Sequence, residues 1–389
     1  MIFLLVKMAG AVVEGMALAL TLALSLIPLA DSLFPAPPSD QITNVQVCAG
    51  SLGTEDGSVP GIHLFDLAGE TIGFTPPSGD VIEQGQQKTI QVTHRLANKD
   101  AAAEAEYISV VQGGNDAICI SWVSVTLEDG ASFSFNGDIG FQCGAFWNYG
   151  NTTITADPTN GIYQPRCNWI DGIVTNGITT KAMGIHLPSF LANQGRIDQY
   201  NQNNNIMCKS DPRFKLYGKL ALTDPIPHFV NPVFDPTTLL DNSLTAALDS
   251  KNWATAPVDT SPLKGLGNSK RNTGNTGNQA SKNTNTVKTT APPQSAKHQG
   301  VLIKSRSKSH SANQLCGSET SWGPDLVSFH ERVFCDMNQK TTWPLCNKAA
   351  DSNCFDQVTN NLRLKKGTSR QNNGGKTPPV KKYTNVQEW

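Results

Sequence analysis

A short glycine-rich segment concentrates the side chains best suited to bind a ligand. Residues 137–149 read GDIGFQCGAFWNY. Trp147 and Tyr149 flank Asn148 there, and Asp138 precedes them. Flat aromatic rings stack on the faces of sugars, while a neighbouring amide or carboxylate can bond the hydroxyl groups. The segment predicts a carbohydrate-binding site made by these four residues. The alternative is that the rings close one end of a β-sandwich.

A glycosylation sequon follows this segment at once. Asn151 begins Asn-Thr-Thr, the one N-x-[ST] sequence in the chain. A glycan requires an exposed loop in a secreted protein. We therefore expect Asn151 to be exposed and glycosylated.

Carboxylates are the most plausible catalytic groups. Hydrolysis of a glycan needs two of them facing each other across a cleft, and the candidates are Glu104, Glu106, Asp129 and Asp138. Asp129 lies in Glu-Asp-Gly and is better explained as a turn residue. The two glutamates lie in AAAEAEY, where we expect them to be solvated. Paired-carboxylate hydrolysis is thus an alternative function.

Other catalytic motifs are absent from the sequence. There is no G-x-S-x-G and no HExxH, so His330-Glu331 is interpreted as an ordinary polar pair. The chain also has no C-x2-C pair and no D-x-[DN]-x-[DN]-G loop, which argues against zinc and calcium sites. We predict no cofactor and no metal, and a protein that is not an enzyme.

The N-terminal residues predict export. Residues 16–29 are apolar or small except Thr21 and Ser25, a length typical of a signal peptide and short of a membrane span. Lys7 supplies the positive flank, and cleavage is expected near Ala30. We therefore assign residues 1–30 to a signal peptide of a secreted, extracellular protein. An uncleaved anchor is the alternative, and no later segment is apolar enough to span a membrane.

Cysteine usage agrees with export. All nine cysteines come after the leader, and an oxidising compartment favours their pairing. The odd total leaves at least one thiol free or bonded to another chain, and the last four allow three connectivities. The disulfide candidates are Cys48, Cys119, Cys143, Cys167, Cys208, Cys316, Cys335, Cys346 and Cys354.

Residues 41–245 predict a mainly β domain, a two-sheet β-sandwich. Runs such as 89–94 alternate with the period of a strand, and 117–127 is long and apolar enough to be a central strand covered on both faces. The sequence Glu-Asp-Gly at 128–130 predicts a hairpin into 131–135. One helix is predicted, over 187–194, since Pro188 suits a first turn.

The excess of basic side chains lies C-terminal to this domain in the sequence. Residues 1–250 carry 11 basic and 24 acidic side chains, and residues 251–389 carry 20 and 8. Residues 251–312 are rich in Asn, Thr, Ser and Lys, which predicts a disordered linker, and residues 364–389 predict a disordered tail. The linker lacks the aromatic residues of a nucleic-acid site. Three roles of the basic linker stay open: attraction to anionic wall polymers, attraction to the acidic domain, and a plain spacer.

A dibasic pair within the linker predicts processing. Lys270-Arg271 lies in a segment expected to be accessible to proteases. Cleavage there would separate the cysteine-rich residues 315–363 from the β domain.

Residues 315–363 predict a small cysteine-rich module. About 50 residues hold a small core, so disulfides must staple it. A helical turn is expected from Pro324 to Arg332, and residues 334–337 and 342–346 are expected to pair across a turn.

Two blocks resemble secreted proteins of filamentous fungi. They are LCGSETSWGPDLVSFHERVFCDMNQKTTWPLC with a later CFD, and DAICISWVSVTLEDGASFSFNGDIGFQCGAFW. The resemblance implies a leader, a β-rich body, a low-complexity linker and a short cysteine module, with no catalytic residues to transfer. The sequence thus predicts a secreted binding or surface-associated protein with cell-wall polysaccharide as its partner. The alternatives are a glycan hydrolase and a structural or host-interaction protein.

Overall fold

The structure, a computed structural model, describes thirteen stretches of the chain: 29–38, 41–95, 104–157, 161–174, 177–191, 193–203, 205–235, 237–242, 245–255, 294, 296–347, 352–365 and 380–389. The predicted signal peptide lies outside them except for Leu29 and Ala30. Lys270-Arg271 also lies outside them. Within these stretches, no helix has the length and hydropathy that a membrane crossing needs.

Short strands dominate the described residues. Those up to residue 255 are β1 (Ile42–Ala49), β2 (Gly57–Ser58), β3 (Gly61–Phe65), β4 (Thr71–Thr75), β5 (Val81–Ile82), β6 (Gln87–Thr93), β7 (Tyr107–Val111), β8 (Ile118–Thr126), β9 (Ser132–Asn136), β10 (Trp147–Asn148), β11 (Thr155–Asp157), β12 (Gly161–Tyr163), β13 (Cys167–Ile170), β14 (Ala182–His186), β15 (Phe214–Tyr217), β16 (Pro227–Phe229) and β17 (Trp253–Thr255).

Seven strands and few helices complete the fold. The later strands are β18 (Val301–Ser305), β19 (Asp325–Ser328), β20 (Val333–Asp336), β21 (Thr341–Pro344), β22 (Cys354–Asp356), β23 (Asn361–Arg363) and β24 (Asn385–Glu388). The helices are α1 (Asp138–Gln142), α2 (Gln194–Gln202), α3 (Asn205–Cys208) and α4 (Ala312–Gly317), with 3-10 turns at Asp31–Leu33, Leu187–Phe190, Ala246–Leu248 and Ser250–Asn252.

Two antiparallel sheets form the predicted β-sandwich. One has the order β10-β13-β8-β1-β6, with β9 also paired to β8, and the other has the order β15-β14-β7-β3-β4. Their facing side chains make one apolar core that includes Val45, Ile62, Val110 and Val123. The mainly β fold class is therefore confirmed.

Strand β8 is the central strand that its sequence predicts. All nine of its residues are buried. One face joins the sandwich core, whereas Cys119 packs beside Trp169 and Trp322, and Trp122 packs with Leu29. The hairpin from β8 into β9 is also present, with Val123 opposite Phe135.

The helix predicted over 187–194 is wrong in its bounds. Pro188 starts only the 3-10 turn Leu187–Phe190, and α2 begins at Gln194. The cap explains the shift, since the Asn193 side chain accepts a hydrogen bond from the Arg196 amide.

A third sheet combines three strands of the cysteine module with two strands from outside it. Its order is β21-β20-β19-β18-β24, in which β18 runs parallel to both β19 and β24. The predicted pairing around residues 338–341 is present as β20 and β21. The helical turn predicted from Pro324 to Arg332 is wrong, because β19 begins at Asp325 and pairs on both sides.

The predicted boundaries of linker and tail also require correction. Within 251–312, strand β17 pairs with β16, and residues 296–305 run into β18. Within 364–389, strand β24 forms one edge of the third sheet. These three strands were missed because each is stabilised by pairing with a strand elsewhere in the sequence, which local composition does not reveal. The remaining residues of these two segments lie largely outside the described residues.

Candidate functional site

The aromatic segment is positioned by α1 and β10. Asp138 begins α1, where its backbone amide donates to Asn136 Oδ1 at 3.0 Å. Trp147 and Asn148 form β10, which pairs with β13. The four residues predicted to bind sugar do therefore belong to one region of the fold.

These residues are buried, so the predicted sugar platform is wrong. The exposed fraction is 0% for Trp147, 1% for Asn148 and Asp138, and 3% for Tyr149. The Trp147 and Tyr149 rings meet edge to face at 87° rather than lying coplanar. A sugar cannot stack on a ring that presents no face to solvent.

The surface that covers these rings belongs to the same chain. The Trp147 amide donates to the Thr320 carbonyl at 3.1 Å, and the Trp322 amide donates to the Trp147 carbonyl at 2.9 Å. The Trp147 indole N–H donates to Ser318 Oγ at 3.0 Å. The surface that was predicted to bind sugar is instead covered by the cysteine module.

Close approach at this contact depends on a glycine. A Cβ placed on Gly323 would lie 2.1 Å from Asn148 Nδ2. Only glycine lets the backbone of the module reach the buried amide at this distance. We call the contacts of residues 147–149, 166 and 169 with residues 311–323 the docking interface.

Arg166 lies at one side of the docking interface. Its guanidinium donates to Asp138 Oδ1 at 2.7 Å and to Gln314 Oε1 at 2.9 Å, and it lies 4.1 Å from the centre of the Phe141 ring. The Tyr163 hydroxyl donates to Asp138 Oδ2 at 2.5 Å. Asp138 is therefore a hydrogen-bonded ion-pair partner of Arg166, and its burial keeps it from a ligand in the solvent.

Two histidines placed in the linker by sequence are buried in this region. His298 Nδ1 lies 2.7 Å from Thr54 Oγ1, and its ring contacts Trp322 edge to face. The His310 ring lies 5.0 Å from that of Tyr149. Burial lowers the pKa of His298 to about 3 and that of His310 to about 4.

The sequon and the turn carboxylate lie at the surface. Asn151 is exposed, and its Oδ1 accepts from Gln164 Nε2 at 2.6 Å. Asp129 Oδ1 accepts the Ala131 amide at 2.8 Å, as its turn role predicts. Glu104 as a whole residue is exposed. Partial burial of its carboxyl is the main cause that raises the pKa of Glu104, and the nearby charge of Asp129 is the next.

Glu106 belongs to a hydrogen-bonded chain that sequence reasoning missed. Its Oε1 lies 2.9 Å from His186 Nε2, and His186 Nδ1 lies 2.7 Å from Ser189 Oγ. A carboxylate, an imidazole and a hydroxyl in this order are the parts of a nucleophilic site. A histidine at the end of a buried strand with a serine three residues later was the available signal.

Burial argues against catalysis by this chain of groups. Ser189 has an exposed fraction of 0%, and the Arg213 guanidinium lies 3.4 Å from its hydroxyl. Burial also lowers the pKa of His186 despite its contact with Glu106. Because the Ser189 hydroxyl is buried among the described residues, the three groups serve to satisfy one another's polar atoms.

Among the described residues, one group of side chains of the metal-binding types lies close together, and a disulfide already uses two of them. Glu55, Cys119 and Cys167 lie within 4.8 Å of one another, but the two cysteines are bonded to each other and offer no thiolate. Burial raises the pKa of Glu55 to about 8. Glu55 is thus a protonated core carboxyl at moderate pH.

Four disulfides are present in the described residues. Cys119 pairs with Cys167 and Cys143 with Cys208 in the sandwich, while Cys316 pairs with Cys335 and Cys346 with Cys354 in the module. Cys48 is the free thiol; it is buried, and burial raises its pKa to about 12. A protonated, buried thiol is a poor nucleophile.

Comparison with known proteins gives little. No family model and no curated protein matches the chain. A solved structure titled "Crystal structure of Delta413-417:GS LOX" matches 24% of this chain and 14% of that chain at 18% identity, with a TM-score of 0.18. A likeness of this size supports no argument about fold or function.

Proposed function

We propose that this chain is a secreted, non-catalytic structural protein of the extracellular surface. The observation that carries the proposal is the docking interface. The aromatic and acidic residues best suited to bind a ligand instead join the module to the sandwich. Each oxygen of Asp138 accepts a hydrogen bond from the chain itself, and the Trp147 indole N–H donates to Ser318.

Export is supported by the cysteines and by the leader sequence. Disulfides persist in oxidising compartments and are rare where thiols are kept reduced, and eight of the nine cysteines are paired. Cell-wall polysaccharide remains the proposed surroundings of the protein. We withdraw Trp147, Asn148, Tyr149 and Asp138 as the residues that bind it.

Expression with and without residues 1–30 in a fungal host tests export. We expect the full sequence to deliver protein to the medium or the wall, with one alkylatable thiol after denaturation. Removing the leader should keep the protein inside the cell. Cellular retention of the full sequence, with every cysteine open to alkylation, would contradict secretion.

Incubation with cell-wall polysaccharides tests the absence of catalysis. We expect no release of reducing ends by the wild-type protein or by the Glu106→Gln variant. Release that is lost in Glu106→Gln, while the Glu83→Gln control retains it, would establish the hydrolase alternative. Glu83 is a suitable control because it is exposed.

Retention on insoluble polysaccharide tests the withdrawn binding site. If Trp147→Ala lost retention while remaining folded, the rings would have to act in binding rather than in docking. We expect instead that any retention by the wild type tracks the folded fraction of the variant.

A further inference from the structure

A lysine and two aspartates meet at the ends of strands of the third sheet. Lys381 Nζ lies 2.9 Å from Asp325 Oδ2 and 2.8 Å from Asp336 Oδ1. Both carboxylates are buried, and the Lys381 side chain is 12% exposed. Asp325 begins β19, Asp336 ends β20, and Lys381 precedes β24, so three separate segments supply the cluster.

The surroundings distinguish the two carboxyls. Asp325 Oδ2 accepts from the Tyr383 hydroxyl at 2.7 Å, and Oδ1 accepts from the Met337 amide at 2.8 Å. Donors therefore hold both oxygens of Asp325. Asp336 Oδ1 accepts the amides of Asn338 and Gln339 besides the lysine, while its Oδ2 is buried without a hydrogen bond within the described residues.

We propose that Lys381 and Asp325 form an intramolecular amide bond. Asp336 removes a proton from the Lys381 ammonium, and the freed amine attacks Cγ of protonated Asp325. The Cγ–O bond to the hydroxyl then breaks as the Nζ–Cγ bond forms. The amine's second proton leaves with the hydroxyl as water, and Asp336 ends protonated. An ammonium, a carboxylic acid and a carboxylate thus become an amide, water and a carboxylic acid, with no oxidant or activating group.

Each group is suited to its step. Burial raises the pKa of Asp325 even though the charge of Lys381 opposes it, and the neighbouring Asp336 adds to the rise. A raised pKa favours the neutral acid that an amine can attack. Tyr383 O–H and Met337 N–H point at the oxygens on which negative charge develops. Burial opposes the Lys381 ammonium, but Asp325 and Asp336 together outweigh it and raise the pKa of Lys381 while both are ionised. Once Asp325 is protonated, Asp336 is the carboxylate that remains beside the ammonium. The amine is therefore released only by transfer of its proton to Asp336.

A bond here would fix the last strand covalently. Lys381 and Asp325 are 56 residues apart, and β24 lies at the edge of its sheet beside β18 alone. An edge strand held only by backbone hydrogen bonds frays readily. The cluster is separate from the docking interface, so the bond does not depend on the proposed function.

Peptide mass spectrometry on the purified full chain tests the bond. After denaturation, reduction and proteolysis, we expect the peptide containing Lys381 to be joined to the peptide containing Asp325, with the loss of one water. Recovery of the Lys381 peptide only in its linear form, from protein whose four disulfides have formed, would overturn the proposal.

Three variants sharpen the test. Lys381→Arg keeps the positive charge but should give only linear peptides, whereas the neighbouring Lys382→Arg should remain linked. Asp336→Asn should abolish or greatly slow the linkage, since it removes the proton acceptor and keeps the size. Disulfide content and far-UV circular dichroism confirm that each variant is folded. A folded Asp336→Asn variant linked as completely as wild type would refute the proposed role of Asp336.

Discussion

The indole rings of Trp169 and Trp322 meet edge to face, with their centroids 4.5 Å apart. The Trp169 N–H donates to the Trp322 carbonyl at 3.0 Å across 153 residues of sequence. Both rings are buried. The cysteine module and the sandwich therefore share a core, and each depends on the other for part of its stability.

Replacing Trp322 should destabilise both parts. We expect Trp322→Ala to lower the free energy of unfolding by roughly 3–5 kcal/mol, because it empties a buried site between them. Urea unfolding followed by fluorescence and by far-UV circular dichroism measures the loss. The control Leu67→Ala, at an exposed position, should change stability by less than about 0.5 kcal/mol. Equal stability of the two variants would contradict a shared core.

Removing Arg166 should leave a buried charge without its ion-pair partner. Arg166→Met leaves the Asp138 carboxylate without its ion pair, at a cost of about 3–5 kcal/mol. The double variant Arg166→Met/Asp138→Asn should recover much of that loss, since no buried charge remains. Lys88→Met is the matched control, because the Lys88–Asp80 pair is exposed and contributes little to stability. Denaturant titration of the wild type and the three variants makes the comparison, and a double variant no more stable than Arg166→Met would argue against this explanation.

Glu55 should make the protein less stable as pH rises. Its pKa increases from 4.5 to about 8 on folding, so the folded state holds a proton that the unfolded state releases. Stability from this group is complete below pH 4.5 and is lost as pH rises to about 8. Glu55→Gln should flatten that decline, while the exposed control Glu83→Gln should not. Unfolding free energies measured across this pH range test the prediction. Parallel profiles for Glu55→Gln and wild type would contradict it.

Ser189 should not react as a nucleophile. We expect a serine-directed fluorophosphonate to leave the folded protein unlabelled. Ser189→Ala should cost about 1 kcal/mol, the usual value of one hydrogen bond. Mass spectrometry of the probe-treated protein measures labelling, with the exposed Ser309→Ala as a control. Labelling of wild type that disappears in Ser189→Ala alone would show that a substrate reaches this hydroxyl.

The sandwich was predictable because local patterns and tertiary packing agree there. Strand β8 is apolar on both faces, and Glu-Asp-Gly turns it into β9. The sequence shows both features without knowledge of the partners. The same is true of β20 and β21, whose turn residues lie between two short apolar runs.

The site was only half predictable, because composition does not reveal what covers a residue. Trp147 and Tyr149 have the residue types of a sugar-binding surface, but other residues of the same chain cover them. Some of these lie more than 160 residues further on, beyond a segment with the composition of a linker. The contact between Lys381 and Asp325 was unpredictable for the same reason. Lys381 is a charged residue in a polar tail, and such a sequence gives no sign that the side chain is buried.

The pairing of the cysteines determines how the protein would respond to cleavage in its middle. No disulfide in the described residues joins the sandwich to the module. A cut after Arg271 would therefore convert one polypeptide into a heterodimer, held by the tryptophan contacts and the hydrogen bonds of residues 147–149. The two chains would elute together on gel filtration, yet separate on a denaturing gel without any reductant.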